Sequence, residues 1–460
     1  MSERIAIINC AIATVDADAS EYSSGYIVTE GKRIVAVGGG ELPGNLRDGA
    51  ALQVDARGML ATPGLVNCHH HMYQHLTRGY AQQSNLFNWL VELYPTWARI
   101  DDRMQQSASR AAIASLLGSG CSLATDHHYL HPHEAGDMLA IEIESAEQLG
   151  IRFHPCRGSM DLGVSQGGLP PDNVVETHEA IMVASAEAID RFHDDSADSM
   201  LQIALAPCSP FSVTEELMRD SATLARTRGV RLHTHLAETI EEERFCIERF
   251  GCRPVEYLEK LGWLGSDVWL AHCVHLDDAE VALFGATRTG VSHCPSSNGR
   301  LGAGIARVAD LIGAGAPVGL GVDGAASNES GELAMEIREA LLFARLRGGE
   351  AALTARQALE LATMNGARCL GRERDLGSIE VGKLADIALW DLEDLGHAGI
   401  ADPVASFVFA APRPVHTLLV NGRVVVHDGQ LTTGDPETIA FDLARDAKRL
   451  AQTAATQGRA

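Results

Sequence analysis

A chain of 460 residues is longer than one ordinary domain, and its 46% hydrophobic content supports a sizeable buried core. A formal net charge of −24 excludes a nucleic-acid backbone binder, because no basic stripe exists to release counterions; it suits neutral or cationic small molecules. No apolar run is long enough to span a bilayer, and ten cysteines scattered from Cys10 to Cys369 fit free thiols in a reducing cytoplasm.

The first 57 residues are short β-like runs broken by Gly and Asp. Residues 5–12 read as a strand rather than a signal sequence, because no basic leader or cleavage site accompanies them. Residues 31–38 supply a plausible partner strand. The same texture returns after Gly377, where 385–390 and 415–420 read as strands. Asn421-Gly422 signals a two-residue hairpin into 423–426. Both ends together predict a small β-sandwich domain formed by residues 1–57 and 379–435. A charged surface helix is expected over 436–460.

Residues 58–378 alternate short apolar runs with amphipathic segments. In the clearest unit, 203–206 read as a strand and about 213–227 as a helix. That helix starts at the capping box Ser212-Val213-Thr214-Glu215 and stops at Gly229; 230–235 follow as the next strand. Such spacing predicts parallel strands with helical crossovers, an α/β fold whose closed form is a distorted (β/α)8 TIM-like barrel. Its chemistry would sit at the C-terminal strand ends.

Several candidate residues fall at those ends. Residues 63–71 read as a strand running into His69-His70-His71. Side chains two apart share a face, so His69 and His71 can aim at one point and bind one zinc ion, although a His-rich loop is the bland alternative. His127, His128, His131 and His133 follow Ala124-Thr125-Asp126. They could bind a second metal, but a rim loop bonded to the neighbouring turn is expected. His235 closes the strand over 230–235, with Glu238 three residues on and His233 as its rival on the same face. His272 closes 268–271, and His293 shapes the loop after the seventh strand. Asp323 closes 318–322, whose glycines permit close backbone approach. Alone, Asp323 reads as a helix N-cap and His272 as a core residue. Together, His-x-His, His, His and Asp at successive strand ends form the pattern of a mononuclear site on a barrel rim.

The motifs Pro63-Gly64-Leu65-Val66-Asn67-Cys68-His69-His70-His71, His235-Leu236-Ala237-Glu238, Ala271-His272-Cys273, Ser292-His293-Cys294-Pro295-Ser296-Ser297-Asn298, Gly321-Val322-Asp323-Gly324 and Gly377-Ser378-Ile379-Glu380-Val381-Gly382-Lys383-Leu384-Ala385-Asp386 occur in order along most of the chain. In them the sequence resembles the amidohydrolase superfamily, in its branch of aminohydrolases acting on purines, pyrimidines and triazines. The resemblance implies His69, His71, His235 and Asp323 as ligands of one Zn2+ per subunit, with Fe2+ also compatible. His235 is preferred to His233 because only it has the family's His-x-x-Glu spacing. Glu238 and His272 are the implied catalytic partners. Such a set performs hydrolytic deamination: Asp323 takes a proton from the attacking water, Glu238 protonates a ring nitrogen, and His272 steadies the tetrahedral intermediate.

Gln74 and Trp89 stand where similar guanine deaminases hold the base. An amide offers donor and acceptor to a lactam edge, and an indole can stack on a heterocycle, although Trp89 equally fits a core position. Cys208 stands where those enzymes carry an Arg, so a bound guanine would lose a charged contact. With residues 72–79 and 85–98, the chain is most similar to the 8-oxoguanine deaminases. This implies conversion of 8-oxoguanine to urate and ammonia; separately, a cytoplasmic protein that forms a homo-oligomer is expected. The alternatives are an s-triazine aminohydrolase, such as hydroxydechloroatrazine ethylaminohydrolase, and a guanine or isocytosine deaminase. A non-catalytic scaffold relative is disfavoured by the complete ligand set.

Overall fold

The computed structural model describes residues 4–47, 50–410 and 413–457. Strand Arg4–Ala13 is antiparallel to Glu21–Glu30, which in turn pairs with Arg33–Gly39. The run at 31–38 is therefore not the direct partner of the first strand. The segment between them, Glu21–Glu30, pairs with both, its apolar signal diluted by Ser23-Ser24-Gly25. Leu52–Asp55 and Met59–Pro63 add parallel to Arg4–Ala13, and Ile387–Asp391 adds antiparallel to Met59–Pro63. Thr417–Val420 and Arg423–His427 follow through the predicted hairpin. Asn421 and Gly422 both have positive φ, +52° and +76°, as a two-residue turn matched to strand twist requires.

With Gln430–Leu431, antiparallel to Arg423–His427, these strands form one nine-stranded sheet rather than two separate ones. Hydrogen bonds from Ile34 N to Lys383 O (2.9 Å) and from Ala385 N to Lys32 O (2.8 Å) fold its edge back on itself. Ile7, Ile27, Ile387 and Leu419 fill the space enclosed.

The chain passes from Met59–Pro63 through Gly64 into the barrel. Eight parallel lines of chain follow: Leu65–Asn67; Cys121–Ala124 with His127–His128; Arg152–Phe153 with Cys156–Ser159; Ala204–Pro207; Arg231–Leu236; Val268–His272; Gly290–His293; and Val318–Leu320. Successive neighbours pair in parallel, and Leu320 against Asn67 closes the ring. Strands covered by helices outside and side chains inside need apolar residues on both faces, and Val268–His272 is buried throughout. Beyond the ring, His70–His71 pairs with Asp323–Gly324 and extends the first and eighth strands into the mouth.

Helix Glu215–Arg228 begins two residues later than the capping box suggests. Thr214 caps it by accepting from Leu217 N, while Ser212 Oγ bonds Ser209 Oγ at 2.8 Å. Gly229, at φ +71°, ends it as expected. The C-terminal helix Pro436–Gln457 does more than cover surface. It packs on Asp102–Gly118 and on the turn Met72–Thr77. It buries Leu450 and anchors Arg449 to Asp101 at 2.7 Å. Among the described residues no helix is long and apolar enough to cross a membrane.

Candidate active site

Strand geometry puts the histidines where the His-x-His and His-x-x-Glu spacings aim them. His69 and His71 leave the first strand on one face, with ring centroids 4.7 Å apart. His235 Nε2 lies 3.1 Å from His71 Nε2, and Asp323 Oδ1 is 3.3 Å and 3.5 Å from the Nε2 atoms of His71 and His69.

Their tautomers follow from what the other ring nitrogens touch. His71 Nδ1 donates to the carbonyl of His127 (2.8 Å), and His235 Nδ1 donates to that of Cys208 (2.6 Å). His233 Nδ1 donates to the Trp269 carbonyl at 2.8 Å, so its Nε2 must accept from His69 Nδ1, also at 2.8 Å. Each of the three rings thus turns an unprotonated Nε2 to the centre. His233 lies on the inward face of its strand, one layer below His235, and orients His69 from beneath. The ambiguity between His233 and His235 resolves into two different tasks.

Electrostatics agrees with neutral imidazoles. Burial holds His69 and His235 well below the ordinary range and brings His71 to about 4. Burial would raise the Asp323 carboxyl, but the imidazoles packed around it, His69 foremost, hold it well below the usual carboxylate range. Its Oδ2 also accepts from Ser297 Oγ (2.6 Å) and Ser327 Oγ (3.3 Å). Two lone pairs facing each other 3.1 Å apart, a partnerless buried His69 Nε2 and an ionised carboxylate repel or waste one another unless a cation joins them. The donor set fits a four-ligand divalent metal.

Glu238 and His272 flank this centre. His272 Nε2 is 3.6 Å from Glu238 Oε2 and 3.9 Å from Asp323 Oδ2, and its Nδ1 donates to Asn298 Oδ1 at 2.9 Å. Burial opposes the charged ring, but Glu238 and Asp323 together raise His272 above its ordinary value. Burial pushes Glu238 up to about 7, which favours a protonated carboxyl near neutral pH.

These groups open into a small, partly enclosed cavity. Gln74, Trp89 and Cys208 all line it. Gln74 is 1% exposed, and neither its amide oxygen nor its nitrogen has a protein partner. Gly324 makes room for that amide: a Cβ there would lie 1.8 Å from Gln74 Oε1. Trp89 takes the core position, packing edge-on against Trp97 and donating Nε1–H to Ala326 O, and it also borders the cavity. Burial pushes the Cys208 thiol up to about 12, so it stays neutral. No Lys or Arg borders the cavity among the described residues.

The histidine cluster at 127–133 divides. His131 and His133 bond backbone carbonyls of Gly158 and Val175, as expected of a rim loop. His127 and His128 do not belong to it. They form a buried barrel strand, and His127 stacks on His235 with centroids 4.8 Å apart. His293 ends the seventh strand, buried, with its carbonyl accepting from Gly321 N. Residue types alone gave no sign of the parts played by His127, Asn298, Ser297 and Ser327, although the last three lie in or just beyond motifs that the sequence singles out.

Residues 60–425 match the amidohydrolase family. The chain belongs to that family. This amidohydrolase is 45% identical to 8-oxoguanine deaminase of Pseudomonas aeruginosa, over 91% of the chain and 93% of the relative. It is 36% identical to hydroxydechloroatrazine ethylaminohydrolase of Pseudomonas sp. strain ADP, over 86% and 82%. Among solved structures it superposes on atrazine chlorohydrolase from Arthrobacter aurescens TC1 complexed with zinc. That match has a TM-score of 0.91, 32% identity, and covers 96% of this chain and all of the other.

Proposed function

We propose that this amidohydrolase is a zinc-dependent deaminase of 8-oxoguanine, replacing its amino group by oxygen to give urate and ammonia. The observation that carries the reaction is the convergence of His71, His235, Asp323, Glu238 and His272 on one cavity, with His69 Nε2 behind them 3.5 Å from Asp323. The 45% identity to an 8-oxoguanine deaminase supports the substrate. So does an aromatic-walled pocket without Lys or Arg among the described residues, whose buried Gln74 offers one donor and one acceptor.

His69, His71, His235 and Asp323 would hold zinc, which when bound would supply Lewis acidity and lower the pKa of a water towards neutrality. Asp323 is placed to take the proton that the attacking water gives up. Glu238 delivers a proton to the ring nitrogen beside the amino-bearing carbon, making that carbon electrophilic. His272, fixed at Nδ1 by Asn298, turns Nε2 towards the attacking oxygen and stabilises the charge that develops there. Asp323 then passes its proton to the amino group, the remaining hydroxyl proton returns to Glu238, and the carbon–nitrogen bond breaks to release ammonia.

The triazine relative favours a second reading, release of an amine from an s-triazine, because that ring presents the same amino-substituted C=N unit. Steady-state assays of 8-oxoguanine, guanine, isocytosine and hydroxyatrazine on one preparation separate these readings. The proposal expects 8-oxoguanine to have the highest kcat/KM, and is overturned if it ranks last.

A further inference from the structure

Glu238 has one unexplained feature for a general acid: its Oε1 is buried without a partner, and its Oε2 is 3.6 Å from His272. Among the described residues no hydrogen bond to its side chain sets its direction. Its backbone, by contrast, is gripped. Glu242, fully buried, accepts from Ala237 N at 2.8 Å through Oε1 and from Glu238 N at 2.9 Å through Oε2.

This is not the ordinary use of a glutamate at that place. Glu242 is the third residue of helix Ile240–Phe250, whose cap is Thr239. In a capping box such a glutamate returns to the N–H of the cap itself, as Glu280 does to Asp277 in helix Asp278–Thr287. Glu242 reaches past its own cap to the two preceding residues. The first of these, Ala237, is in the left-handed region at φ +50°, which costs an alanine energy and persists only where its surroundings enforce it. The Ala237 carbonyl is bound as well, by the N–H groups of Val274 (3.0 Å) and His275 (2.9 Å), just beyond His272.

We propose that Glu242 is a positioning residue for the deamination proposed above: its carboxylate clamps the left-handed turn after His235 and so fixes where Glu238 delivers its proton. The inference rests on Glu238 being the general acid, but not on which heterocycle is the substrate. Glu242→Gln removes one of two acceptors and sets an amide N–H against a backbone N–H.

The test is a double-mutant cycle on the zinc-loaded full chain, with whichever of the four heterocycles the wild type turns over fastest. E242Q is expected to lower kcat by about 10- to 100-fold, as expected of a catalytic group displaced by about 1 Å, with KM changed less than about threefold. One zinc per chain is expected to remain. In the E238Q background, adding E242Q is expected to slow the residual rate less than about twofold, because the group it positions is already disabled. Wild-type kcat in E242Q, loss of zinc, or the full E242Q penalty persisting in the double variant would each overturn the proposal. Should E242Q not fold, E242D carries the same cycle with the same criteria. A wild type inactive on all four compounds would overturn the proposed function instead, so the two failures are distinguishable.

Discussion

Gly324→Ala tests the pocket most directly, because the change is one methyl group and the collision is defined. The new Cβ would lie 1.8 Å from Gln74 Oε1, 2.1 Å from Cδ and 2.8 Å from Nε2. Ordinary contact between heavy atoms begins near 3.5 Å, so the amide must retreat by about 1.5 Å. A hydrogen bond stretched that far no longer exists. Gly324 does not occupy the left-handed region, so alanine adds no backbone strain there, and the obstacle is the movable end of a side chain. Stability and zinc content should therefore stay near wild type. If Gln74 gives the base two hydrogen bonds worth about 1–1.5 kcal/mol each, kcat/KM should fall by about 30- to 150-fold. Urate formation followed by absorbance measures it. Gln74→Ala should cost a similar factor, and the double variant little more than either alone. An efficiency within twofold of wild type in G324A, beside a crippled Q74A, would mean that the amide does not read the substrate from this position.

Other perturbations separate the remaining groups. Glu238→Gln should retain zinc yet lose about 100- to 10,000-fold in kcat, which metal analysis and steady-state rates would check together. His233→Phe fills the same space but leaves His69 Nδ1–H unpaired; zinc affinity in chelator competition should weaken by about 10- to 100-fold. Because burial raises Glu238 to about 7 and only its protonated form acts as an acid, kcat/KM should decline as pH rises through that value. A profile flat to pH 9 would assign the acid elsewhere. Cys208→Arg should move preference towards guanine; an unchanged ratio of guanine to 8-oxoguanine efficiency would remove Cys208 from substrate reading.

Much of this site was legible because strand periodicity is rigid. His69 and His71 share a face by a period of two, and Glu238 follows His235 at a fixed reach. What spacing does not encode is depth. His233 and His235 are equivalent by period, and only the stacking of His233 on Trp269, with centroids 4.5 Å apart, marks it as the lower layer. Breaks in barrel strands were invisible for a related reason. The second line of chain is interrupted at Thr125-Asp126, where Asp126 Oδ1 accepts from Met72 N at 2.7 Å. A hydrophobicity pattern reads that pair as a strand end, and so assigns His127 and His128 to a loop. The terminal sheet failed in the same way at Glu21–Glu30, where three small residues hide a strand that pairs on both sides.

The backbone at the mouth explains why so many hydrogen bonds converge there. Ala237, His272, Cys273 and Asp323 all have positive φ, from +48° to +71°, although none is glycine. Such conformations cost on the order of 1 kcal/mol each and persist only where their surroundings over-determine them. Each residue here is so constrained. Glu242 holds the turn at Ala237. Asn298 holds the ring of His272, Leu236 O accepts from Cys273 N at 3.0 Å, and His69 O accepts from Asp323 N at 3.1 Å. These contacts link the ends of the first, fifth, sixth and eighth strands to one another. A residue that must both end a strand and aim at a shared centre cannot follow the extended path, so the chain turns sharply at Ala237, His272 and Asp323. Rigidity at the mouth is thus a consequence of assembling donors from distant strands. It predicts that softening one clamp disturbs catalysis before it disturbs the fold.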